Sequence, residues 1–445
     1  MWRSERLLQA IWQGKGIVVL DDPKTHGLWE RTAQKAPETG AIEGVLASDV
    51  VIVGGGYTGL SAALHLAQSG AKVAVLEAVA IGFGGAGRNV GLVNAGMWVM
   101  PDELTNTLGP VYGNRLLDAL GNGPSKVFEI IEKHQINCEA TRNGTLHCAV
   151  GKGGLADLKA RAEQWQRRGV AVQMLNATET ATKLGMGTYA GALLDPRAGT
   201  IQPLSYARGL ATAAIAAGAL IFTASPVTDI TRDNGNWMVK TRGGTVTAPW
   251  VIMATDAYTE RVMPEIRAEQ TFLPYFNFAT APLPAHLRDM ILPERQGAWD
   301  TKEVLTSFRV DRAGRIIFGS VGSLKGTGLS IHRDWAKRAL RKLFPQIGQV
   351  EFESEWHGKI GLTADFLPRF HQFGEGVIGT SGYNGRGIAP GTVFGKALAD
   401  HIGGKLSAED MPLPVTELAD PPFRRAKEAY YEIGAQVSHL VGARF

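Results

Sequence analysis

The stretch Ser48-Asp49-Val50-Val51-Ile52-Val53-Gly54-Gly55-Gly56-Tyr57-Thr58-Gly59 reads as a strand that runs into a glycine-rich turn. A helical pattern follows and stops at Gly70, and a second strand, Val73-Ala74-Val75-Leu76, ends in Glu77. In such a unit one glycine permits the turn, one lets the backbone approach a pyrophosphate, and one lets the helix pack against the sheet. These positions are Gly54, Gly56 and Gly59. The spacing predicts a dinucleotide site, with a glycine-rich turn that binds nothing as the alternative.

Two further features narrow the predicted ligand. Glu77 stands where an acid accepts the ribose hydroxyls, and a carboxylate there disfavours the 2′-phosphate of NADP. A second glycine-rich turn, Gly382-Tyr383-Asn384-Gly385-Arg386-Gly387, precedes a helix that begins near Pro390. Two turns aimed at one ligand suit FAD, because a helix N-terminus near the flavin stabilises negative charge on the reduced ring.

The bulk composition excludes several classes of protein. The 445 residues are 44% hydrophobic, which is enough for a large core and two domains. The net charge of +4 is small and the charged residues are scattered along the chain, so nucleic acid is not an expected partner. Cys138 and Cys148 are the only cysteines, which argues against a disulfide framework and for a cytoplasmic location. No apolar run reaches the roughly 18 residues of a transmembrane helix, and Met1–Leu8 is expected to form a surface helix, with a membrane or partner contact as the alternative.

Several separated segments resemble the D-amino-acid-oxidase-like (DAO) family of flavoproteins. They are residues 53–63, 82–91, 194–199 with Pro203, 254–259, 356–358 with Thr363 and Pro368, and 382–388. The resemblance covers roughly residues 47–402 and is nearest to amine oxidases similar to the γ-glutamylputrescine oxidoreductases. It implies an α/β fold in which a Rossmann-like FAD-binding domain of the glutathione-reductase type is interleaved with an α+β substrate domain built on an antiparallel sheet.

The discontinuous layout predicts four parts of the chain. The expected bounds are 1–46 for an N-terminal extension, 47–100, 190–264 and 351–405 for the FAD-binding domain, 101–189 and 265–350 for the substrate domain, and 406–445 for a helical C-terminal tail. The FAD-binding domain is thus interrupted twice by segments that build the other domain.

The resemblance also implies which residues hold FAD. The loop from Gly87 to Leu92 would run along the flavin, Val227 would bracket the adenine, and Gly385–Ile388 would face the pyrimidine edge. The predicted cofactor residues are Gly54, Gly56, Tyr57, Thr58, Gly59, Glu77, Ala78, Gly87, Arg88, Asn89, Gly91, Leu92, Val227, Ala254, Thr255, Gly385, Arg386, Gly387 and Ile388. A solvated loop is the alternative for Arg88 and Asn89. Neither cysteine lies near the C-terminal motif and His65 falls on the polar side of its helix, so FAD is expected to bind without a covalent link.

Departures from the family concern the substrate. In the amino-acid oxidases of the family, two arginines clamp the substrate carboxylate, and their positions here are Ile360 and Gly385. A carboxylate buried without a cation is costly, so α-amino acids are disfavoured unless Arg309, Lys359 or Arg386 substitutes. The candidate substrate or catalytic residues are Lys359, His357, Arg309, Asn384 and Arg386, each with a structural role as the alternative. The aromatic residues Trp98, Tyr275, Phe276 and Phe278 are candidates for an amine pocket or for the core.

The family implies hydride transfer from the carbon beside an amine nitrogen to flavin N5, after which the imine hydrolyses and electrons pass to oxygen or another acceptor. The predicted substrate is a small polyamine-derived or N-substituted amine, and Lys359 or His357 would stabilise negative charge during oxygen reduction. Two alternatives stay open: oxidation of an amino acid or 2-hydroxy acid, and a non-catalytic flavin-binding subunit. The ten histidines show no metal-ligand spacing, so no metal is predicted.

Overall fold

The computed structural model describes residues 26–259 and 262–443, so the helix expected at Met1–Leu8 lies outside the described residues. The helices are α1 (Leu28–Thr32), α2 (Tyr57–Gln68), α3 (Pro101–Gly121), α4 (Gly123–Lys133), α5 (Gly151–Arg167), α6 (Ala177–Leu184), α7 (Pro203–Ala216), α8 (Pro264–Ala268), α9 (Ala285–Arg288), α10 (Gly328–Leu343), α11 (Ile388–Ile402) and α12 (Arg424–Val441). None of these helices is both long and apolar enough to cross a membrane.

The strands are numbered in chain order. They are β1 (Gly44–Ala47), β2 (Val50–Val53), β3 (Val73–Leu76), β4 (Leu92–Val93), β5 (Thr145–Ala149), β6 (Gln173–Asn176), β7 (Gly191–Asp195), β8 (Gly199–Thr200), β9 (Leu220–Phe222), β10 (Asp229–Asp233), β11 (Asn236–Lys240), β12 (Gly244–Ala248), β13 (Trp250–Met253), β14 (Thr271–Thr280), β15 (Gly297–Asp300), β16 (Thr306–Val310), β17 (Ile316–Val321), β18 (Phe352–Leu362), β19 (Arg369–Gly374) and β20 (Val377–Ser381).

A six-stranded sheet of order β19-β20-β13-β2-β3-β9 forms the centre of the first domain. All its pairs are parallel except β19 with β20. The four residues of β2 are all buried, as expected for a parallel strand covered on both faces. Val50 and Ile52 pack with residues of α2, α7 and α11, while Val51 and Val53 pack with residues of the small sheet β1-β12-β11-β10. This layered arrangement confirms the predicted dinucleotide-binding fold.

The second domain contains an eight-stranded sheet of order β18-β14-β17-β16-β15-β5-β7-β6. Its pairs are antiparallel apart from β15 with β5. Strand alternation divides β14 between two faces, because successive side chains of a strand point to opposite sides. Phe276 and Phe278 are fully buried with residues of α10, whereas Tyr275 lines a cavity. The antiparallel substrate domain of the predicted fold class is therefore confirmed, with one parallel pair added.

Two strands join the larger sheet from segments that the sequence assigned to the FAD-binding domain. Strand β7, from the predicted 190–264 segment, pairs with β5 and β6. Strand β18, from the predicted 351–405 segment, pairs along the whole of β14, from Thr271 with Leu362 to Thr280 with Phe352. The pairing partner of a strand is a long-range property that hydrophobic alternation does not encode, since the same pattern fits either sheet.

Candidate functional site

A cavity of about 1550 Å³ is lined by residues of both large sheets. Its walls include the Gly54–Thr58 turn after β2 on one side, and Tyr275 of β14 and Ser307 of β16 on the other. Pockets for drug-sized ligands measure about 300–1,000 Å³. The cavity therefore has room for a dinucleotide and a second small molecule together.

The first glycine turn has the three geometries that its sequence predicts. Gly54 has φ of +112°, and a Cβ there would lie 2.7 Å from the Ala254 carbonyl oxygen. A Cβ on Gly59 would lie 2.0 Å from the Gly54 carbonyl oxygen, so helix and turn are in close contact. In front of Gly56 the nearest atom is Ala86 Cβ at 3.9 Å, and Gly56 lines the cavity. The open side of this turn fits a pyrophosphate approaching the start of α2.

The carboxylate of Glu77 lies at the same end of the cavity, beside Ala78. Its Oε2 accepts a hydrogen bond from the Gly55 amide at 2.7 Å, and Oε1 accepts one from the Val79 amide at 3.0 Å. Burial raises the pKa of Glu77, while these backbone hydrogen bonds act in the opposite direction. A fixed, acceptor-only group in this position fits the ribose hydroxyls of a dinucleotide.

The loop after β3 uses its polar side chains to hold its own backbone. Arg88 Nε donates to the Phe83 carbonyl at 2.9 Å, and the guanidinium lies 4.7 Å from the Phe83 ring centroid. Asn89 Nδ2 donates to the Gly85 and Ala86 carbonyls, both at 3.0 Å, and Asn89 Oδ1 accepts from the Gly91 amide at 2.9 Å. Arg88 and Asn89 both line the cavity, so the loop is ordered against the space where a cofactor would lie.

Most of the remaining predicted cofactor residues lie along the same cavity. Tyr57 donates from its hydroxyl to the Ala86 carbonyl at 2.7 Å, and Thr58 Oγ1 lies 2.6 Å from the Tyr383 hydroxyl, so both side chains fix neighbouring segments. The predicted residues that line the cavity are Gly54, Gly56, Tyr57, Thr58, Glu77, Ala78, Arg88, Asn89, Leu92, Val227, Ala254, Thr255, Gly385, Gly387 and Ile388. The other predicted cofactor residues are not among the described lining residues; they are Gly59, Gly87, Gly91 and Arg386.

The C-terminal glycine turn brings a helix terminus to the cavity. Gly385 has φ of +84°, Gly387 is the N-cap residue of α11, and no side chain caps this terminus. The first amides of a helix lack partners within it and carry partial positive charge. Gly385, Gly387 and Ile388 line the cavity, so this terminus brings partial positive charge to the cavity wall.

Two of the five candidate substrate or catalytic residues line the cavity. The Lys359 ammonium lies 4.8 Å from the Tyr258 ring centroid and 4.6 Å from that of Phe272. Asn384 also lines the cavity, but its Oδ1 accepts from the Thr363 amide at 2.9 Å. Since Asn384 has φ of +52°, this side chain stabilises the turn that it belongs to.

The other three candidates are absent from the described cavity lining. Arg309 is 1% exposed and donates to the Ile201 carbonyl beneath Gly91, where burial lowers its pKa. Arg309 and the lining residue Ser307 lie on the same face of β16, but Arg309 is further along the strand, beneath the loop that contains Gly91. The carbonyl of His357 accepts from Arg88 at 3.4 Å. Arg386 lies behind the cavity wall, against aromatic rings described below.

Sequence reasoning overlooked a second set of lining residues. Strand alternation in β14 separates Tyr275, which lines the cavity, from the core residues Phe276 and Phe278, and it was available as a signal. Trp98 also lines the cavity, which agrees with the prediction of a pocket position and not with the alternative of a core position. The overlooked polar and aromatic lining residues include His147, Arg161, Tyr258, Trp299, Tyr430 and Tyr431. Tyr430 and Tyr431 belong to α12, which is distant in sequence from the other lining residues. No local sequence pattern predicts that this helix contacts the cavity.

The cysteines and the histidine considered for a covalent flavin link lie elsewhere in the fold. Cys138 and Cys148 are buried and free, and His65 hydrogen bonds to the Ser61 carbonyl at 2.8 Å. None of the three is among the described lining residues of the cavity. Within residues 26–259 and 262–443, no group of three histidine, cysteine, aspartate or glutamate side chains is arranged to hold a metal ion.

Comparison with known proteins agrees with this geometry. The family described as DAO, FAD dependent oxidoreductase, matches residues 49–401. Gamma-glutamylputrescine oxidoreductase of Escherichia coli is 31% identical over 423 residues, which are 92% of this chain and 98% of that protein. Glycine oxidase of Geobacillus kaustophilus is 26% identical over 378 residues, which are 82% and 95% of the two chains.

Solved structures support the same fold. The crystal structure of glycine oxidase from Geobacillus kaustophilus has a TM-score of 0.68 at 23% identity, over 84% of this chain and 99% of that one. That of L-proline dehydrogenase from P. horikoshii has a TM-score of 0.66 at 18% identity, over 86% and 99%. The family match spans most of the chain and includes both glycine turns and every described lining residue of the cavity except those of α12. This protein therefore belongs to the DAO family of FAD-dependent oxidoreductases.

Proposed function

We propose that the chain oxidises a carbon–nitrogen bond of a small amine, polyamine-derived or N-substituted, with FAD held without a covalent link. Bound FAD supplies a hydride acceptor at N5 for the hydrogen on the carbon beside the amine nitrogen, and the imine product hydrolyses in water. The glycine turns, Glu77 and the uncapped start of α11 are the residues that would hold it.

One observation carries the choice of an amine over an α-amino acid. By resemblance, Ile360 and Gly385 occupy the positions of the two arginines that clamp the substrate carboxylate in amino-acid oxidases. In this structure both line the cavity, and Ile360 Cδ1 lies 3.2 Å from the Cβ position of Gly385. The pair is thus an apolar contact, and a carboxylate placed against it would lose its hydration without gaining a cation.

The surrounding side chains suit an amine. Trp98, Tyr275 and Trp299 line the cavity, and aromatic faces attract a cationic ammonium group while also packing against its methylene groups. The Lys359 ammonium is held between the rings of Tyr258 and Phe272. A positive charge fixed at the cavity wall would stabilise negative charge that develops when oxygen accepts electrons.

Oxidation of an amino acid or 2-hydroxy acid is the second candidate. It requires a substitute cation, and of Arg309, Lys359 and Arg386 the structure brings Lys359 to the described cavity lining.

Acid precipitation tests the proposal that FAD binds without a covalent link. A flavin that stays with the precipitated protein would contradict non-covalent binding.

Anaerobic mixing of the holoprotein with a substrate panel tests the proposal. The panel contains γ-glutamylputrescine, putrescine, an N-methylated amine, glycine, D-alanine and L-lactate. We expect amines to bleach the visible flavin absorption, with little effect from the three acids. Bleaching by the acids alone would favour the second candidate, and a flavoprotein reduced by none would favour a non-catalytic subunit.

A further inference from the structure

Two arginines from distant parts of the chain contact Trp98 at one corner of the cavity. Arg161 of α5 lines the cavity, and its guanidinium donates to the carbonyl of Trp98 at 2.5 Å and to those of Met97 and Val99 at 3.3 and 3.4 Å. The hydrogen-bond partners of this cation are therefore neutral carbonyl oxygens. It fixes the segment that carries Trp98 while its charge stays at the wall.

Arg386 lies directly behind this wall. Its guanidinium is 4.6 Å from the Trp98 ring centroid and 5.5 Å from that of Trp299, and Nη1 donates to the Ala95 carbonyl at 3.0 Å. Its Nε is buried and has no hydrogen-bond partner, and the residue is 8% exposed. Burial lowers the pKa of Arg386 to about 9, and the charge of Arg161 acts in the same direction.

The acids near this corner leave it positive. Asp195 is the acid that acts on Arg386, but it is held by both Nε and Nη2 of Arg197, at 2.9 and 2.6 Å. Asp157, which acts on Arg161, lines the same cavity but is exposed to solvent, where its charge is screened more than that of a buried acid. Neutral carbonyl oxygens do not neutralise a buried cation, so an anionic ligand would offset part of the free-energy cost of burying it.

The two other rings of this corner, those of His147 and Trp299, add no negative charge. His147 stacks on Trp299 with ring centroids 4.7 Å apart, and burial, followed by Arg161 and Arg386, lowers the pKa of His147. His147 and Trp299 belong to β5 and β15 of the eight-stranded sheet, and Arg161 to a helix packed against it. The corner thus lies where the eight-stranded sheet and its packed helix meet the C-terminal glycine turn, to which Arg386 belongs.

We propose that this corner, formed by Trp98, His147, Arg161, Trp299 and Arg386, binds a carboxylate that the amine substrate carries away from its oxidised carbon–nitrogen bond. The inference rests on the proposed function and names its substrate class: amines with a carboxylate at the far end of an apolar chain. An α-carboxylate would lie beside the reacting bond, where Ile360 and Gly385 form an apolar contact. Arg161 is here a specificity-determining residue for the anionic end.

The test compares wild-type holoprotein with Arg161→Gln. Hexanoate and hexanamide, which cannot be oxidised as amines, are titrated against the flavin spectrum, and 6-aminohexanoate and 6-aminohexanamide are used for anaerobic reduction. A hydrogen bond to a charged group contributes about 1.5–3 kcal/mol, so we expect the Kd for hexanoate to rise roughly 10- to 100-fold in the variant. The Kd for hexanamide should rise by a smaller factor, because hexanamide is affected only through the Trp98 segment, so the ratio of the hexanoate Kd to the hexanamide Kd should increase.

Controls separate recognition of the anion from other roles of Arg161. Arg161→Lys should recover part of the affinity for hexanoate, and Arg167→Gln on the same helix, whose partner is Asp102 at 2.6 Å, should leave both titrations unchanged. Equal weakening of hexanoate and hexanamide would show that Arg161 only fixes the Trp98 segment and would overturn the proposal.

Two further outcomes are informative. If Arg161→Gln lowered the flavin reduction potential but left the ratio of the Kd values for hexanoate and hexanamide unchanged, the Arg161 charge would act on the reduced flavin. That result would also overturn the proposal. If no amine reduces the flavin, the proposed function fails, whereas the hexanoate titration still decides whether the corner binds a carboxylate.

Discussion

Gly56 shows how a single missing side chain leaves room for a cofactor. Its φ of −91° and ψ of −171° are accessible to any residue, and the nearest atom to an added Cβ lies 3.9 Å away. The absence of a side chain is therefore not required by the backbone or by packing. It is explained by a ligand that approaches the turn closely, as a pyrophosphate does.

We expect Gly56→Val to fold normally but to lose FAD, because the valine fills the space in front of the turn. The measurement is the ratio of visible flavin absorption to protein after purification, together with the melting temperature of the apoprotein. Gly40→Val is the matched control, because nothing lies within 4 Å of a Cβ there. A Gly56→Val protein that keeps its full complement of FAD would contradict this account of the turn.

Arg309 and Arg386 mark the limit of residue-level reasoning from sequence. Both are predicted near the substrate as cations that would replace the family's carboxylate clamp, yet both lie behind the cavity lining. The charge of a residue is visible in a sequence, but its depth beneath a loop depends on packing between distant segments. Arg161 was overlooked for the opposite reason: on an amphipathic helix, a polar residue reads as part of the solvated face.

At the scale of the element, α12 closes one side of the cavity. Tyr430, Tyr431, Gly434, Ala435 and Ser438 line the cavity from this helix. A glycine inside a helix costs about 1 kcal/mol relative to alanine, and nothing lies within 4 Å of an added Cβ on Gly434. The glycine is thus unfavourable for the helix while keeping the cavity open.

Gly434→Leu should therefore leave the melting temperature unchanged or raise it, leave the flavin content intact, and increase KM several-fold by narrowing the substrate side of the cavity. Steady-state kinetics with the best amine of the panel provide the measurement. Gly153→Leu, an exposed glycine in α5 with no atom within 4 Å of its Cβ position, is the control for the helix effect alone. An unchanged KM in Gly434→Leu would mean that α12 does not border the path of the substrate.

A buried histidine pair joins α12 to α10. His332 Nδ1 lies 2.8 Å from His439 Nδ1, His439 stacks on Trp335 at 3.7 Å, and its Nε2 lies 3.3 Å from Ser320 Oγ. Burial lowers the pKa of both rings; the second ring and the cations of Lys302 and Arg338 act in the same direction on His439. The folded chain therefore binds these protons less readily than the unfolded chain.

The free energy of unfolding should fall as the pH drops below the unfolded histidine pKa of about 6.5, because the unfolded chain then binds more protons than the folded chain. The fall is at most about 1.4 kcal/mol per pH unit for each ring. The double variant His332→Gln/His439→Gln should be less stable at pH 7 but should lose less stability between pH 7 and pH 5. Chemical denaturation at both pH values checks this, with the exposed His286→Gln as control. Parallel pH profiles for wild type and double variant would refute the role of the pair.

Local elements were predictable where their chemistry is local. The glycine turns, the buried strands and the helix that opens at Pro203 follow from turn residues and periodicity within one segment, and the structure contains all of them. The placement of β7 and β18 in the larger sheet, and of α12 against the cavity, follows from contacts across the chain. A single sequence contains no signal that selects among such partners, which is why the far walls of the site were not predictable.

At the scale of the molecule, the cavity joins the two large sheets, so a ligand that fills it should stabilise both together. A ligand that binds only the folded chain at about 100 times its Kd adds about 2.7 kcal/mol. With an unfolding entropy of about 2.1 cal/mol/K per residue over 445 residues, free FAD at that level should raise the melting temperature of the apoprotein by about 3 °C in a single transition. If the two sheets unfolded independently, calorimetry would instead show two transitions, and FAD would shift only the one that forms most of its site, by a larger amount.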